Sequence, residues 1–143
     1  MNEGQLLVEA MVAMGLVLFG VLGVMGLLSR SLALNRVVSD QFTGNQLAAE
    51  GIEVVKNIID TNAIQSRPWN RGFSNGDFEL DYQSASLTPS LDRFLLYDPD
   101  TGFYNYLVGN PTNFKRVIRV RLVGSDEIQV NSITDWKTLG GGT

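Results

Sequence analysis

The 143 residues include no cysteine and no histidine. Disulfides, thiol nucleophiles, imidazole acid–base pairs and most zinc sites are thereby excluded. Folding outside a cell would proceed without a covalent staple, although the lack of cysteine does not itself assign a compartment. Proline is scarce, with four in all, and the first is Pro68; nothing before it forces a helix to stop. Basic charge is limited, since 11 Lys and Arg face 15 Asp and Glu for a formal net charge of −4. No segment is basic enough to hold a polyanion by charge alone. Serine, lysine and carboxylates occur, but no spacing sets a nucleophile beside its base, so the sequence argues against an enzyme and calls for no cofactor.

What the chain has in abundance is apolar sequence, concentrated before Ser29. Ala10 to Leu28 is a run of 19 residues without a charge or a strongly polar group, which as a helix reaches about 29 Å, one bilayer core. A cleaved secretory signal fits poorly, because the run exceeds the roughly 7–15 residues of a usual h-region and no basic segment precedes it. Gly15, Gly20, Gly23 and Gly26 interrupt the run. Each costs roughly 1 kcal/mol of helix relative to alanine in water, whereas small residues allow close backbone approach between helices in lipid or in a dry fibre core.

Glu9 is the lone charge at the entrance to this segment. A carboxylate at mid-bilayer costs about 2.5–3.5 kcal/mol and less near the interface, so Glu9 calls for a cation at matching depth. It follows Gly4 by five residues, within Gly4-Gln5-Leu6-Leu7-Val8-Glu9. That spacing resembles the type IV pilin superfamily. The resemblance implies a leader at 1–4, cleavage after Gly4 by a prepilin peptidase, N-methylation of Gln5, and pairing of Glu9 with the Gln5 amine of a neighbouring subunit. It also implies a filament-core helix over 5–28, with Gly15, Phe19 and Gly20 among its assembly residues; the proline at which such helices melt locally is missing here, which leaves the glycines from Gly20 to Gly26 as the candidates for a melted stretch. Two positions depart from the usual pattern: Gln5 stands where phenylalanine is common, and Glu3 where a basic residue is expected.

Beyond Arg30 the helical period continues through Leu34, Val38, Phe42, Leu47, Ala48, Ile52, Val55 and Ile59, with charged and amide residues between them. This predicts one helix to about Asp60, amphipathic over 29–60. The tract Ala49 to Asp60, with Trp69 after it, resembles the same part of minor pilins and pseudopilins. Asn62 to Gly76, with Pro68 and Gly72, reads as a loop. About five antiparallel strands then follow in a head at 61–143. Phe78, Leu80 and Tyr82 alternate with Asp77, Glu79 and Asp81; 93–97 and 103–108 flank a turn; Ile118, Val120 and Leu122 alternate with Arg119 and Arg121; and Gly124-Ser125-Asp126 leads into 127–133.

Three head features bear on function. Asp98, Asp100 and Thr101 offer the oxygen ligands calcium takes, while Asp98-Pro99-Asp100-Thr101-Gly102 is also turn chemistry that needs no metal. Lys115, Arg116, Arg119 and Arg121 alternate as on a solvated sheet face, which disfavours nucleic acid as a partner. The acidic face of Asp77, Glu79 and Asp81 can pair with Arg119 and Arg121, either across strands or between subunits. The Gly140–Gly142 tract is a tail or a loop.

The expectation is therefore an α+β chain of the type IV pilin fold, a long N-terminal transmembrane and amphipathic helix packed on a small antiparallel sheet. The resemblance implies a structural subunit of a type IV pilus or type II secretion-like pseudopilus. Its partners would be other pilin subunits, the prepilin peptidase and methyltransferase, the assembly machinery, and membrane lipid before assembly. It would sit single-pass in a prokaryotic cytoplasmic membrane with an extracytoplasmic head, then in a periplasmic or cell-surface filament. The alternative is a signal-anchored extracytoplasmic binding module that does not polymerise.

Overall fold

The computed structural model describes residues 3–124 and 126–137. Part of the expected leader (Met1 and Asn2), Ser125 of the expected turn and the C-terminal tract from Thr138 lie outside the described residues. Helix α1 runs Glu3–Ile64. It is followed by β1 (Gly76–Glu79), β2 (Thr88–Pro89), β3 (Phe94–Tyr97), β4 (Tyr104–Asn105), β5 (Asn110–Val123) and β6 (Glu127–Trp136). The architecture is α+β, with α1 packed on an antiparallel sheet, as the sequence predicts. Contacts divide the chain into two units, one reaching Ser39 and one beginning at Asp40.

In the first unit α1 packs on no other element among the described residues. Its large apolar side chains from Leu6 to Val38 are exposed, and this one helix is long and apolar enough to cross a membrane.

In the second unit α1 forms one wall of the core. The buried positions are Gly44, Leu47, Gly51, Val54, Val55, Ile58 and Asn62, at three- and four-residue steps. This stripe differs from the expected one, since Phe42 is 64% exposed and Leu34 and Val38 also face outward. Two glycines and an asparagine replace the expected apolar residues, because close approach to the sheet, and not side-chain volume, sets the contact. The helix also ends four residues beyond Asp60. Asn62 turns inward, and its Nδ2 donates to the carbonyls of Trp69 (3.1 Å) and Arg71 (3.0 Å). Ser66, at φ 53, then takes the left-handed conformation that closes the helix.

Six strands form the sheet rather than five, because Thr88–Pro89 adds a short pair to β1. β5 is the spine of the sheet. It pairs with β6 from Phe114↔Trp136 to Val123↔Glu127, and with β3 and then β1 along its other side. Its period is strict: Phe114, Arg116, Ile118 and Val120 are buried while Lys115, Val117 and Arg119 are half-buried. Val54, Val55 and Ile58 of α1 meet Phe78, Leu80, Ile118 and Val120, and Leu47 meets Leu95, Tyr106 and Phe114. At about 1.5–3 kcal/mol per fully buried aliphatic or aromatic side chain, these clusters are the main favourable term in the second unit.

Candidate functional site

The residues singled out by sequence fall in four places. Gln5 and Glu9 are exposed on the first unit, and among the described residues Glu9 makes no ion pair. Phe19 is 77% exposed, and around Gly4, Gly15 and Gly20 an added Cβ would meet nothing. These residues share an unpartnered helix and form no enclosed site within the chain. What they present is an apolar rod with Glu9 as its only charge from Gln5 to Leu28, a surface that needs lipid or neighbouring helices to cover it.

The second place is the sheet. Asp77 and Arg119 are register partners on β1 and β5. Arg119 Nε and Nη2 donate to Asp77 Oδ1 and Oδ2 at 2.8 and 2.9 Å, a two-pronged pair. The cross-strand version of the expected pairing is thus present, and Arg119 is engaged within its own chain. The donated hydrogen bonds hold the Asp77 carboxyl below its ordinary value against the opposing effect of burial, and the nearby charges of Arg119 and Arg121 add to them. Arg121 makes no ion pair among the described residues.

The other two acids do not share the expected face with Asp77 and, among the described residues, do not pair with Arg119 or Arg121. Glu79 is 2% and Asp81 8% exposed. The chain turns after Glu79, so strict alternation ends there, and each carboxylate is used to hold a loop. Glu79 accepts from the amides of Leu91 (2.8 Å) and Arg93 (3.0 Å) and from Arg93 Nε (2.9 Å). Burial raises its pKa, but the Arg93 amide and guanidinium and the Leu91 amide outweigh burial and hold it below the ordinary value. Asp81 Oδ1 accepts from the Gln83 amide and the Ser84 hydroxyl.

Both depressed carboxyls contribute stability that is complete above their ordinary values, 3.8 for Asp77 and 4.5 for Glu79, and is lost as pH falls through the lower folded values. The thermal midpoint of the second unit is therefore expected to fall on acidification below about pH 5. Glu79→Gln, which cannot ionise, should flatten that fall. Differential scanning fluorimetry of both chains between pH 7 and pH 3 checks it, and parallel curves would contradict it.

The third place is Arg116, expected on a solvated basic face and in fact 1% exposed. It shares parity with Ile118 and Val120, so the strand period sends it into the core. Its Nη1 donates to the Leu47 carbonyl at 2.9 Å and its Nη2 to the Leu80 carbonyl, tying α1 to the chain after β1. Nη1 also lies 3.2 Å from Glu50 Oε1, close enough for an ion pair, although that oxygen accepts no hydrogen bond. The Tyr106 hydroxyl donates to the Arg116 carbonyl at 3.0 Å. Burial pushes the Tyr106 pKa up to about 12, against the opposing charge of Arg116, so the phenol stays a donor at neutral pH.

Sequence reasoning placed Arg116 on the wrong face and passed over the packing roles of Gly44, Gly51 and Asn62. For Arg116 the signal was present in its even position on the strand. At the 98–102 turn, Asp98 accepts from the Asp100 amide (3.0 Å) and from the Thr101 hydroxyl (2.9 Å), so both of its oxygens serve the turn. Among the described residues no group of three or more acidic side chains is placed to hold a metal ion. No protein-family model, curated protein or solved structure matches this chain.

Proposed function

We propose that the chain is a subunit of an extracytoplasmic filament of the type IV pilin kind, a pilus or a secretion pseudopilus. One observation carries this reading. A single helix supplies a wall of the head's core with its C-terminal part, while its N-terminal part exposes an apolar surface whose only charge from Gln5 to Leu28 is Glu9. A helix that merely anchored a head has no use for a carboxylate at that position, whereas a polymerising subunit can set it against a neighbour's N-terminal amine. Two such charges about 4 Å apart gain roughly 4 kcal/mol at an effective dielectric of 20, before desolvation is subtracted. Cleavage after Gly4 and methylation of Gln5 would create that amine. The membrane then holds the subunit, head outward, until assembly machinery moves the helix into a fibre.

The test is the N-terminal mass of the chain expressed with and without a prepilin peptidase. The expected product starts at Gln5 with one added methyl, and Gly4→Leu is expected to abolish its formation. An intact N-terminus beside an enzyme that processes a control substrate would overturn this reading in favour of a signal-anchored binding module.

A further inference from the structure

The edges of the sheet are not alike. β2 and β4 are two residues each, and β2 contains Pro89; shortness and proline are the usual means of keeping an edge from pairing with another chain. β6 has neither. It runs ten residues without proline, lysine or arginine, its register with β5 is unbroken from Phe114↔Trp136 to Val123↔Glu127, and among the described residues it pairs with no other strand. A long, regular strand with one side unpaired is a template for a further strand.

The ladder fixes which groups that side offers. The Leu122 amide donates to Asn75 Oδ1 (2.6 Å), on the β1 side of β5. Even-numbered residues of β5 therefore turn their amides away from β6, and odd-numbered ones turn toward it. The partners of the latter are odd-numbered too, as in Arg119↔Asn131 and Val117↔Ile133. The backbone N–H and C=O groups of Ile128, Val130, Ser132, Thr134 and Trp136 thus point outward along the free edge. Their side chains share the α1 face, where Ser132 and Trp136 lie against Gly51 and Gly44.

This edge is complementary to itself. Two copies related by a two-fold axis normal to the sheet pair antiparallel, and the register is set by the residue on the axis. With Asn131 there, Glu127 would oppose Asp135, two like charges. With Ile133 there, the paired stretch shortens and Glu127 loses its partner among the described residues. With Ser132 there, Glu127 opposes Lys137, Ile128 opposes Trp136 and Val130 opposes Thr134, each twice by symmetry. Opposite charges then close both ends of the joined strands.

We propose that β6 pairs with the β6 of a second copy of this chain in the Ser132-centred register, so that two sheets become one. The contact uses the same surface on both chains and closes at two. Because the axis is normal to the sheet, the α1 stretches packed on the two joined sheets run in opposite directions. Such copies are not neighbours in a fibre whose subunits all point one way; they belong to separate assemblies, and the pairing stands whether or not the chain polymerises.

The absence of native cysteine makes the test direct. Asn131 of one copy would face Ile133 of the other in a non-hydrogen-bonded pair, the closer kind, on the face away from α1. Full-length Asn131→Cys and Ile133→Cys chains, tagged with different masses and solubilised separately in detergent, are mixed under mild oxidation. The expected product is the mixed disulfide, in excess over either self-linked dimer. Glu127→Lys in both chains should lower its yield at least about threefold, and adding Lys137→Glu should restore it. Absence of the mixed disulfide between chains that melt as wild type does would overturn the pairing, as would a yield that Glu127→Lys leaves unchanged. An equal yield from Asn131→Cys with Gln129→Cys, or no recovery on the second reversal, would overturn the register. Sedimentation of cysteine-free chains in density-matched detergent should show a dimer weakened by Glu127→Lys, and a chain monomeric throughout would overturn the proposal.

Discussion

Arg116→Ala is expected to lower the stability of the second unit by about 3–5 kcal/mol, the range for removing one member of a buried charged cluster. The reason lies in what the guanidinium touches. Its two donated bonds end on carbonyls of α1 and of the chain after β1, and alanine would leave both acceptors facing a cavity. Glu50→Ala should cost less, about 1–3 kcal/mol, because the buried guanidinium would lose its counter-charge but keep both carbonyl acceptors, and the near oxygen of Glu50 accepts no hydrogen bond from Arg116. Urea unfolding of the detergent-solubilised chain, followed by tryptophan fluorescence, measures both. Equal losses from the two variants would mean that the ion pair, and not the carbonyl bonds, holds the helix to the sheet.

Gly51→Val is expected to destabilise the same unit by about 1–3 kcal/mol or more, against the usual gain in helix propensity on replacing glycine. A Cβ at this position would collide with the Ser132 hydroxyl, sit 2.6 Å from Ile118 Cδ1 and lie 3.2 Å from Arg116 Cδ. Ile118 is fully buried and has nowhere to retreat. The Arg116 contact gives the position a second role. The guanidinium reaches the Leu47 carbonyl, one turn before Gly51, by passing over a residue with no side chain. A valine there would displace the arginine as well as the sheet. The losses from Gly51→Val and Arg116→Ala should therefore not add, and a double variant less destabilised than their sum by 0.5 kcal/mol or more would register that coupling. Strict additivity would count against it.

Much of the fold was legible because its signals are periodic. The apolar run to Leu28, the helical repeat beyond it, the turn at Asp98–Gly102 and the alternation at Ile118 and Val120 each point to the element that forms. The contacts between elements were harder to read. Gly44 and Gly51 look like weak points in a helix, and only the sheet shows that each makes room, one for the Trp136 ring 2.5 Å from its would-be Cβ and the other for Arg116. Glu79 and Asp81 carry the charge pattern of a surface, but the chain turns away after Glu79 and both carboxylates become loop anchors. Arg116 obeyed its parity, and reading its charge ahead of its position placed it on the wrong face. The membrane-length segment was legible from composition. What covers its exposed side chains depends on molecules outside the chain.

The bonds of Arg116 also have a mechanical meaning. In the filament proposed above, a subunit drawn along its helix axis would carry load, and the head would have to follow the rod. At Leu47 and Leu80 the pull passes sideways through one rigid, planar side chain into two separate stretches of backbone. Gly44 and Gly51 bring rod and sheet close enough to interlock, so sliding one past the other meets side chains that stand in the way. Under such a pull the head would ride on α1 like a cleat on a rope, and Arg116 would be loaded before the covalent link beyond Ile64.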